Sequence, residues 1–259
     1  MTVLPSFDER RSHGVLGAVA RGVGQILVTA GVVIVLFVGY ELWWTGLTTR
    51  HDQRVLLSTL QQQWKQNPAP AASERAGQRR QQAAVRRPAL GSGFAILRIP
   101  RLGKNYKFVI IQGTSTKDLI KGPGHYPNTA LPGQVGNFAV AGHRTTYLHP
   151  FYDINELRPG DAIVIETRTS WFTYRVGDIP GTSARYQEIV RPTDVSVAYP
   201  VPDQPESRIT PTLSVLTLTS CNPRYSAAQR IVVHALLTSS RPNVTGAPPG
   251  SSGNRQAVG

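Results

Sequence analysis

The chain has 259 residues, of which 40% are hydrophobic, enough to bury the core of one large or two small domains. Its formal net charge of +13 raises nucleic acid as a partner. The excess of Lys and Arg is nevertheless spread along the whole chain, without a basic run interleaved with aromatic residues or a zinc-finger or RNP-like motif. Nucleic-acid binding is therefore not expected.

The first element in chain order is an apolar segment near the N-terminus. Residues 23–44, VGQILVTAGVVIVLFVGYELWW, contain one charge, Glu41, and end in Trp43 and Trp44. About 20 apolar helical residues cross a hydrocarbon core of ~30 Å, and paired tryptophans are typical of the membrane interface. A buried soluble helix would show a polar stripe, and a cleaved signal peptide would have a shorter apolar run and an A-x-A site. The segment therefore predicts a transmembrane anchor.

The orientation of this anchor follows from where the rest of the chain lies. Arginines stand close to the segment on both sides, so the positive-inside rule does not decide between the two orientations. Only one span is predicted, and most of the chain follows it. We expect a single-pass protein of the cell membrane, with residues 1–22 in the cytoplasm and the C-terminal domain extracellular.

A stem and a tail are predicted on either side of this domain. Four apolar residues of segment 51–67 recur at the spacing of a helix face: Val55, Leu56, Leu60 and Trp64. Residues 68–92 are rich in Pro, Ala, Arg and Gln, so residues 45–92 are interpreted as a helical and flexible stem. Residues 240–259 are rich in Ser, Pro and Gly and predict a disordered tail.

Residues 93–239 predict an all-β domain. Eight short runs are rich in Val, Ile, Phe and Tyr or alternate apolar with polar residues, and Gly, Pro, Asn or Asp bound them. These runs are 94–102, 107–113, 137–143, 161–167, 171–179, 184–190, 213–220 and 230–237. Short helices fit only near 116–121 and 150–157. Eight strands in a domain of this length indicate a closed barrel or a sandwich.

The chain holds a single cysteine, Cys221, directly after the apolar run 213–220. One cysteine cannot form an internal disulfide, so in an exported protein it is either a functional thiol or a small buried side chain. Cys221 opens the polar stretch NPRYSAAQR at a strand end, where loops build sites. We interpret Cys221 as a candidate nucleophile.

A cysteine nucleophile usually works with a histidine. His143, in AVAGHRTTY, follows an apolar strand as Cys221 does, and strand ends on one rim would bring the two side chains together. His125, in GPGHYP, is the second choice. The remaining histidines lie beside the span, in a loop or within the last strand: His13, His51, His149 and His234.

Acyl transfer by a thiol also develops an oxyanion, which requires hydrogen-bond donors. Arg230 begins the strand after the Cys221 loop, nine residues on, and its guanidinium stabilises charge without acting as a base. Arg224 is nearer in sequence but is expected at the loop tip. On chemistry alone, a solvated surface charge explains either arginine equally well.

Two motifs resemble one known family. TLTSC (217–221) followed by Arg230 resembles the TLxTC…R signature of sortases, the membrane-anchored cysteine transpeptidases of Gram-positive bacteria. GPGHYPNTALPGQVGNFAVAGHR (122–144) is similar to the stretch that leads to the catalytic histidine of that family, particularly in classes D and E. The resemblance covers residues 93–238. It implies an eight-stranded sortase-type β-barrel and assigns catalytic roles to Cys221, His143 and Arg230.

The resemblance also bears on substrate binding and class. It implies that Thr217 lies near the sorting motif of the substrate, and Ser220 stands where the family usually has Thr. With His125, these two are the candidate substrate-binding residues. The chain shows neither an Asp-Pro-aromatic lid before the first strand nor a second, C-terminal span, which favours a class E-like housekeeping enzyme over a pilin-polymerising class C enzyme.

The activity implied is cleavage of an LPXTG- or LAXTG-like signal between Thr and Gly through a thioacyl intermediate on Cys221. The partners implied are secreted proteins with C-terminal sorting signals and an amine of a peptidoglycan precursor or cross-bridge. No cofactor is expected, and carboxylate clusters that bind metal ions are sparse, so no metal is expected either.

Two other functions are compatible with an anchored β-domain and a lone thiol. One is another cell-wall cysteine hydrolase, although NlpC/P60-type enzymes place Cys before His in sequence. L,D-transpeptidases place a His-Gly pair directly before Cys, where this chain has Ser220. The other is a non-enzymatic wall-binding domain whose thiol is incidental.

Overall fold

The computed structural model describes residues 10–67, 87–204 and 209–243. The chain divides into two compact units, Met1–Thr45 and Gly46–Gly259. Most of the predicted flexible stem and tail, residues 68–86 and 244–259, lies outside the described residues.

One helix, α1, covers Arg10–Gln66, and no proline occurs between these residues. Within it, Gly17–Tyr40 has a mean hydropathy of 2.3 and is long and apolar enough to span a membrane. The segment overlaps the predicted 23–44 but begins and ends earlier. The helix predicted over 51–67 belongs to the same α1. One N-terminal apolar helix is thus consistent with a single-pass membrane anchor.

In the part of the second unit that the structure describes, there are nine strands and several short helices. The strands are β1 (Gly93–Arg98), β2 (Lys107–Gln112), β3 (Gly124–His125), β4 (Gly136–Ala141), β5 (Ala162–Glu166), β6 (Ser170–Val176), β7 (Gln187–Val190), β8 (Ser214–Asn222) and β9 (Gln229–Pro242). The helices are α2 (Thr116–Leu119) and three 3₁₀ turns, Pro100–Leu102, Ile154–Glu156 and Ser196–Ala198.

Eight of these strands form a closed barrel, which confirms the predicted fold class. Their order is β6-β5-β1-β2-β3-β4-β8-β9, and β9 pairs back with β6. β2–β3 and β4–β8 are parallel pairs, whereas the other neighbours in the ring are antiparallel. β9 continues to Pro242 opposite Ser170, past the predicted domain end at 239.

The eight strands of the closed barrel differ from the eight predicted strands at one position. The run 184–190 became β7, which pairs with β9 outside the ring, and the two-residue β3 completes the barrel instead. Two residues are too few to show alternation in a sequence. β3 also passes close to its neighbour, since a Cβ on Gly124 would lie 2.2 Å from the carbonyl oxygen of Gly113.

Alternation along the strands separates an inner from an outer face. Phe138 and Val140 of β4 and Leu216 and Leu218 of β8 are fully buried in the barrel core. The next residues along these strands face outwards, and the loop between β7 and β8 covers part of that outer face. Asn137 fastens the loop, since its Nδ2 donates to the carbonyls of Val197 at 2.9 Å and Tyr199 at 3.0 Å.

The part of α1 after Gly46 packs against the barrel. Leu56, Leu57, Leu60 and Trp64 contact a second apolar cluster that includes Val109 of β2, whereas Val55 is 48% exposed. Gln53 fixes this contact with polar bonds. Its Oε1 accepts the backbone N–H of Val109 at 2.8 Å, and its Nε2 donates to the carbonyl of Lys121 at 2.6 Å.

We predict that Gln53→Ala accelerates hydrogen exchange of the Val109 amide about fivefold in the full chain, because the amide loses an acceptor worth about 1 kcal/mol. Gln62→Ala, an exposed position on the same helix, is the matched control and should leave this exchange rate unchanged. Equal rates in wild type and Gln53→Ala would show that the bond does not hold α1 on β2.

Candidate active site

Cys221 lies on β8, between the parallel neighbour β4 and the antiparallel neighbour β9. Its thiol is free and half-buried. On the β9 side, Cys221 is paired directly with Arg230. Because directly paired residues present their side chains on the same face of a sheet, the thiol and the arginine share the outer face.

His143 lies on the other side of Cys221. The last residues paired between β4 and β8 are Ala141 and Thr219. The register continues past them, since the N–H of Gly142 donates to the carbonyl of Thr219 at 3.0 Å. The same offset places His143 level with Cys221. The register thus places the three residues expected to be catalytic at one level, with Cys221 and Arg230 on paired strands and His143 two residues past the end of β4.

The imidazole of His143 lies in a partly enclosed position. Its ring centroid is 4.9 Å from that of Tyr147, and burial lowers the pKa of His143. Its Nε2 is buried, and no hydrogen-bond partner for this atom occurs among the described residues. A buried ring nitrogen of this kind is available for proton exchange with a bound molecule.

Gly142 allows the turn after β4 to pack closely. A Cβ at this position would lie 2.6 Å from the ring of Phe151, a fully buried core residue. The N–H of Phe151 also donates to the carbonyl of His143 at 3.1 Å. A larger residue in place of Gly142 would therefore displace the chain next to the imidazole.

Arg230 and Arg224, the two arginines that the sequence left equivalent, have different surroundings. Nη1 of Arg230 donates to the carbonyls of Ala227 at 3.0 Å and Gln229 at 2.9 Å, and none of the ion pairs among the described residues involves it. Arg224 pairs with Asp153 at 2.8 Å instead. The charge of Arg230 is thus the less compensated of the two.

Arg144 is a component of the site that sequence reasoning missed. It is 5% exposed, and its Nη1 donates to the backbone carbonyl of Cys221 at 3.0 Å. Its Nε donates to the carbonyl of Tyr152 at 2.9 Å and its Nη2 to Oδ1 of Asn155 at 2.8 Å. A charge after a strand end usually indicates a solvated side chain, so nothing in the sequence pointed to its burial. Arg144 directly follows His143, so its bond to the carbonyl of Cys221 ties the chain beside the imidazole to the chain beside the thiol.

Ser220 faces away from the thiol. Its Oγ donates to the carbonyl of Gly142 at 2.7 Å, and its side chain is buried on the face opposite Cys221. This bond needs only the hydroxyl that Ser and Thr share. The structure thus accounts for the tolerance of Ser at this position, and a substrate-binding role for Ser220 stays a prediction.

Thr217 is buried on the face that carries Cys221. Its Oγ1 donates to Oδ1 of Asn137 at 2.7 Å and lies 2.9 Å from Nδ1 of His234. Nε2 of His234 lies 2.9 Å from a carboxylate oxygen of Glu188. Through Asn137, this network holds the β7–β8 loop on the outer face. A direct contact of Thr217 with substrate stays a prediction.

The structure does not bring His125 to the thiol. His125 is fully buried, with its ring centroid 5.0 Å from that of Phe138 in the core. Its Nδ1 lies 2.8 Å from Oε1 of Gln112 and its Nε2 2.9 Å from the carbonyl of Ala130, and burial lowers the pKa of His125 to about 4. This environment is that of a buried, neutral imidazole, and the proposed substrate-binding role of His125 stays untested.

Tyr126 reaches the outer face where His125 does not. Its hydroxyl lies 3.0 Å from Oγ1 of Thr219, which precedes Cys221 by two positions and shares its face. A tyrosine next to a histidine carried no distinguishing signal in the sequence. Tyr126 and Thr219 therefore extend the polar surface beside the thiol.

Comparisons with known proteins agree with this geometry. The Sortase domain family model matches residues 97–238, more than half of the chain. Sortase SrtE1 of Streptomyces coelicolor is 35% identical over 92% of this chain, which spans 62% of that protein's length, and Sortase SrtE2 of the same organism is 30% identical over 86% of this chain and 84% of its own length. The chain therefore belongs to the sortase family, a family of transpeptidases, and it is class E-like.

Solved structures show the same fold. Sortase E from Streptomyces avermitilis is 42% identical, covers 62% of this chain and 98% of its own, and has a TM-score of 0.53. SrtF sortase from Corynebacterium diphtheriae is 37% identical and has a TM-score of 0.59. The match covers 63% of this chain and 93% of that chain. Sortase E1 from Streptomyces coelicolor, solved with a tripeptide in the active site, is 36% identical and has a TM-score of 0.53. The match covers 62% of this chain and 98% of that chain.

We predict that Arg144→Met lowers the free energy of unfolding by about 2–4 kcal/mol, because it leaves the partly buried carbonyl of Cys221 and the amide oxygen of Asn155 without their charged donor. Arg224→Met, which breaks a more exposed ion pair with Asp153, should cost less than about 1 kcal/mol. Urea unfolding of the full chain in micelles measures both values. Similar losses for the two variants would contradict the anchoring role of Arg144.

Proposed function

We propose that this chain is a sortase that cleaves an LPXTG- or LAXTG-like sorting signal between Thr and Gly and transfers the protein to a cell-wall amine. The observation that supports the proposal is the pairing of Cys221 with Arg230, together with the β4–β8 register that places His143, just past the end of β4, level with both. A thiol nucleophile, a proton donor and a cation for the oxyanion are what acyl transfer requires.

The first half of the reaction forms the thioacyl enzyme. The thiolate of Cys221 attacks the carbonyl carbon of the substrate Thr, and the guanidinium of Arg230 offsets the negative charge that develops on the oxygen. His143 then gives its proton to the Gly nitrogen as the C–N bond breaks. The products are a thioester on Cys221, a free Gly amine and a neutral imidazole.

The second half returns the enzyme to its starting state. The acceptor amine attacks the thioester carbonyl, and the neutral His143 takes the proton that the amine loses. The C–S bond breaks and a new amide bond forms, which leaves thiolate and imidazolium in place. Water in place of the amine would give a carboxylic acid, so the availability of the acceptor decides between transfer and hydrolysis.

The protonation states limit the active fraction of the enzyme. With ordinary pKa values of ~8.5 for Cys and ~6.5 for His, about 1% of the molecules near pH 7.5 hold thiolate and imidazolium together. Burial lowers the pKa of His143 and so decreases this fraction further. The negative thiolate acts in the opposite direction, since a nearby opposite charge favours the protonated ring.

Similarity to known proteins supports the substrate class and the location. Sortase E1 from Streptomyces coelicolor binds a tripeptide in its active site, which agrees with a peptide substrate here. The apolar segment Gly17–Tyr40 agrees with an enzyme anchored in the membrane of a Gram-positive cell, with its barrel facing the wall. Secreted proteins with C-terminal sorting signals, and a peptidoglycan precursor or cross-bridge amine, are the partners we propose.

The direct test uses the full chain in micelles with fluorogenic LPXTG and LAXTG peptides and an amine acceptor. We expect Cys221→Ala and His143→Ala to lower kcat/KM at least about 10³-fold. Arg230→Met should lower it about 10²- to 10³-fold, because the oxyanion loses its cation. His51→Ala and Arg158→Met, at exposed positions elsewhere, should retain activity within about twofold.

Three outcomes would contradict the proposal. Cleavage that survives Cys221→Ala would exclude the thioacyl mechanism. An inactive His125→Ala variant together with an active His143→Ala variant would show that His125, and not His143, is the catalytic histidine. Hydrolysis that no acceptor amine converts to transfer would indicate a cysteine hydrolase instead of a transpeptidase.

The pKa of His143 sets the acid side of the pH–rate profile. The mechanism needs a deprotonated Cys221 and a protonated His143, so the pH–rate profile is bell-shaped and its acid-side midpoint equals the lower of the two pKa values. Burial lowers the pKa of His143, which places this midpoint below ~6.5. Tyr147→Ala exposes the ring and should move the midpoint up towards ~6.5. Tyr225→Ala is the control, since Tyr225 also has a positive φ of 65° but is 80% exposed. Equal midpoints in Tyr147→Ala and wild type would refute this account of the shift.

A further inference from the structure

A cavity of about 310 Å³ lies between the barrel-bound part of α1 and strand β2, apart from the thiol site. Arg50 and Arg54 of α1 and Lys107 of β2 contribute three basic side chains to its lining. Leu57 and Phe108 contribute an apolar wall. The volume falls at the lower end of the ~300–1,000 Å³ that ligand pockets usually have.

The positive charge of this cavity is only partly balanced by protein groups, since the carboxylate of Glu166 lies near enough to act on Lys107 but is itself paired with Arg98 at 2.8 Å. No carboxylate lines the cavity in the part of the chain that the structure describes. Among residues 10–67, 87–204 and 209–243, no ion pair involves Arg50, Arg54 or Lys107. Three like charges around one concave surface repel each other, so an anion bound among them lowers the electrostatic energy of the site.

The walls of the cavity are fixed by backbone contacts. Gln53, which also lines it, is bonded to the backbone of Val109 and of Lys121. The approach is close, because a Cβ on Gly122 would lie 2.2 Å from Nε2 of Gln53. A site held in this way exists before its ligand arrives.

Chain connectivity limits how far this cavity can lie from the apolar span. Arg50 follows Tyr40, the last residue of the apolar span, by ten positions. However the chain runs, ten residues reach at most about 36 Å. The phosphate groups of the lipid surface that the span would cross are therefore anions within reach of the cavity.

We propose that this cavity binds the phosphate of an anionic membrane lipid. Arg50, Arg54 and Lys107 contact the phosphate, since guanidinium groups offer paired donors to its oxygens. The lipid glycerol and upper acyl chain lie along Leu57 and Phe108. A cavity with both a cationic and an apolar wall suits a lipid better than a free inorganic anion.

The occupied cavity reaches the loop that follows the catalytic imidazole. Leu148 and His149 form its far side, and together with Tyr147 they have positive φ values of 61°, 37° and 50°. Tyr147 packs on the ring of His143. A lipid bound against Leu148 and His149 therefore contacts the same short loop that encloses His143.

Native mass spectrometry of the full chain, released from an uncharged maltoside detergent, tests the proposal. Dioctanoyl phosphatidylglycerol and dioctanoyl phosphatidylcholine are offered at equal concentration. We expect one molecule of phosphatidylglycerol per chain, with at least about tenfold preference over the zwitterionic lipid. Arg54→Gln/Lys107→Gln should lower the bound fraction at least about tenfold, because each lost contact to phosphate is charge-assisted.

The matched control is Lys117→Gln/Arg158→Gln, which removes the same charge from exposed positions away from the cavity. It should keep lipid binding within about twofold, and both double variants should keep the unfolding midpoint of the wild type. Equal losses in the two double variants, or equal binding of the two lipids, would overturn the proposal. Inorganic phosphate that displaces the lipid at equal concentration would also overturn it, in favour of a free-phosphate site.

This test is independent of the proposed thiol chemistry. Cys221→Ala should bind phosphatidylglycerol as the wild type does, because Cys221 does not line the cavity. Loss of lipid binding in Cys221→Ala would show that the two sites are not separate and would contradict the assignment. Failure of peptide cleavage, with lipid binding intact, would affect the proposed function alone.

Discussion

The parallel pairing of β4 with β8 is the constraint on which the rest of the site depends. The β8–β9 hairpin brings Arg230 to Cys221 through a short local connection, but His143 is far from both in sequence. Only the β4–β8 register places the imidazole level with the thiol. Two hydrogen bonds stabilise the end of the β4–β8 pairing. Ser220 donates to the carbonyl of Gly142, and Arg144 donates to the carbonyl of Cys221. A slip of one residue would turn His143 to the opposite face.

The same packing sets the electrostatics of the site. Burial lowers the pKa of His143 and favours its neutral form, the proton acceptor of the proposed mechanism, whereas a thiolate on Cys221 would favour the imidazolium. Arg224 is neutralised by Asp153, whereas Arg230 has its charge available for an oxyanion. The cavity beside α1 is lined by three cations and, among the described residues, by no carboxylate. Cations without an ion-pair partner thus occur at both the proposed acyl-transfer site and the proposed lipid site.

Much of the fold and the central residues of the site could be predicted from sequence, for identifiable reasons. Strand runs with regular alternation, an uninterrupted apolar segment and two motifs with fixed spacing are local signals. The two-residue β3, the exclusion of β7 from the ring and the burial of Arg144 depend on contacts between distant segments. His125 illustrates the limit, since GPGHYP resembled a site motif, while in the structure its imidazole is bonded within the barrel core. The charge balance of the α1 cavity depends likewise on which residues α1 meets on β2.

The most direct test of the central claim is intact-mass analysis of the full chain after incubation with an LPXTG or LAXTG peptide and no acceptor amine. If β4 and β8 align His143 with Cys221, a thioester with the peptide fragment ending in Thr accumulates, and peptide mapping locates it on Cys221. The adduct should disappear when an amine is added and should not form in Cys221→Ala. Peptide cleavage without a covalent adduct on Cys221, under conditions that stabilise thioesters, would contradict the account.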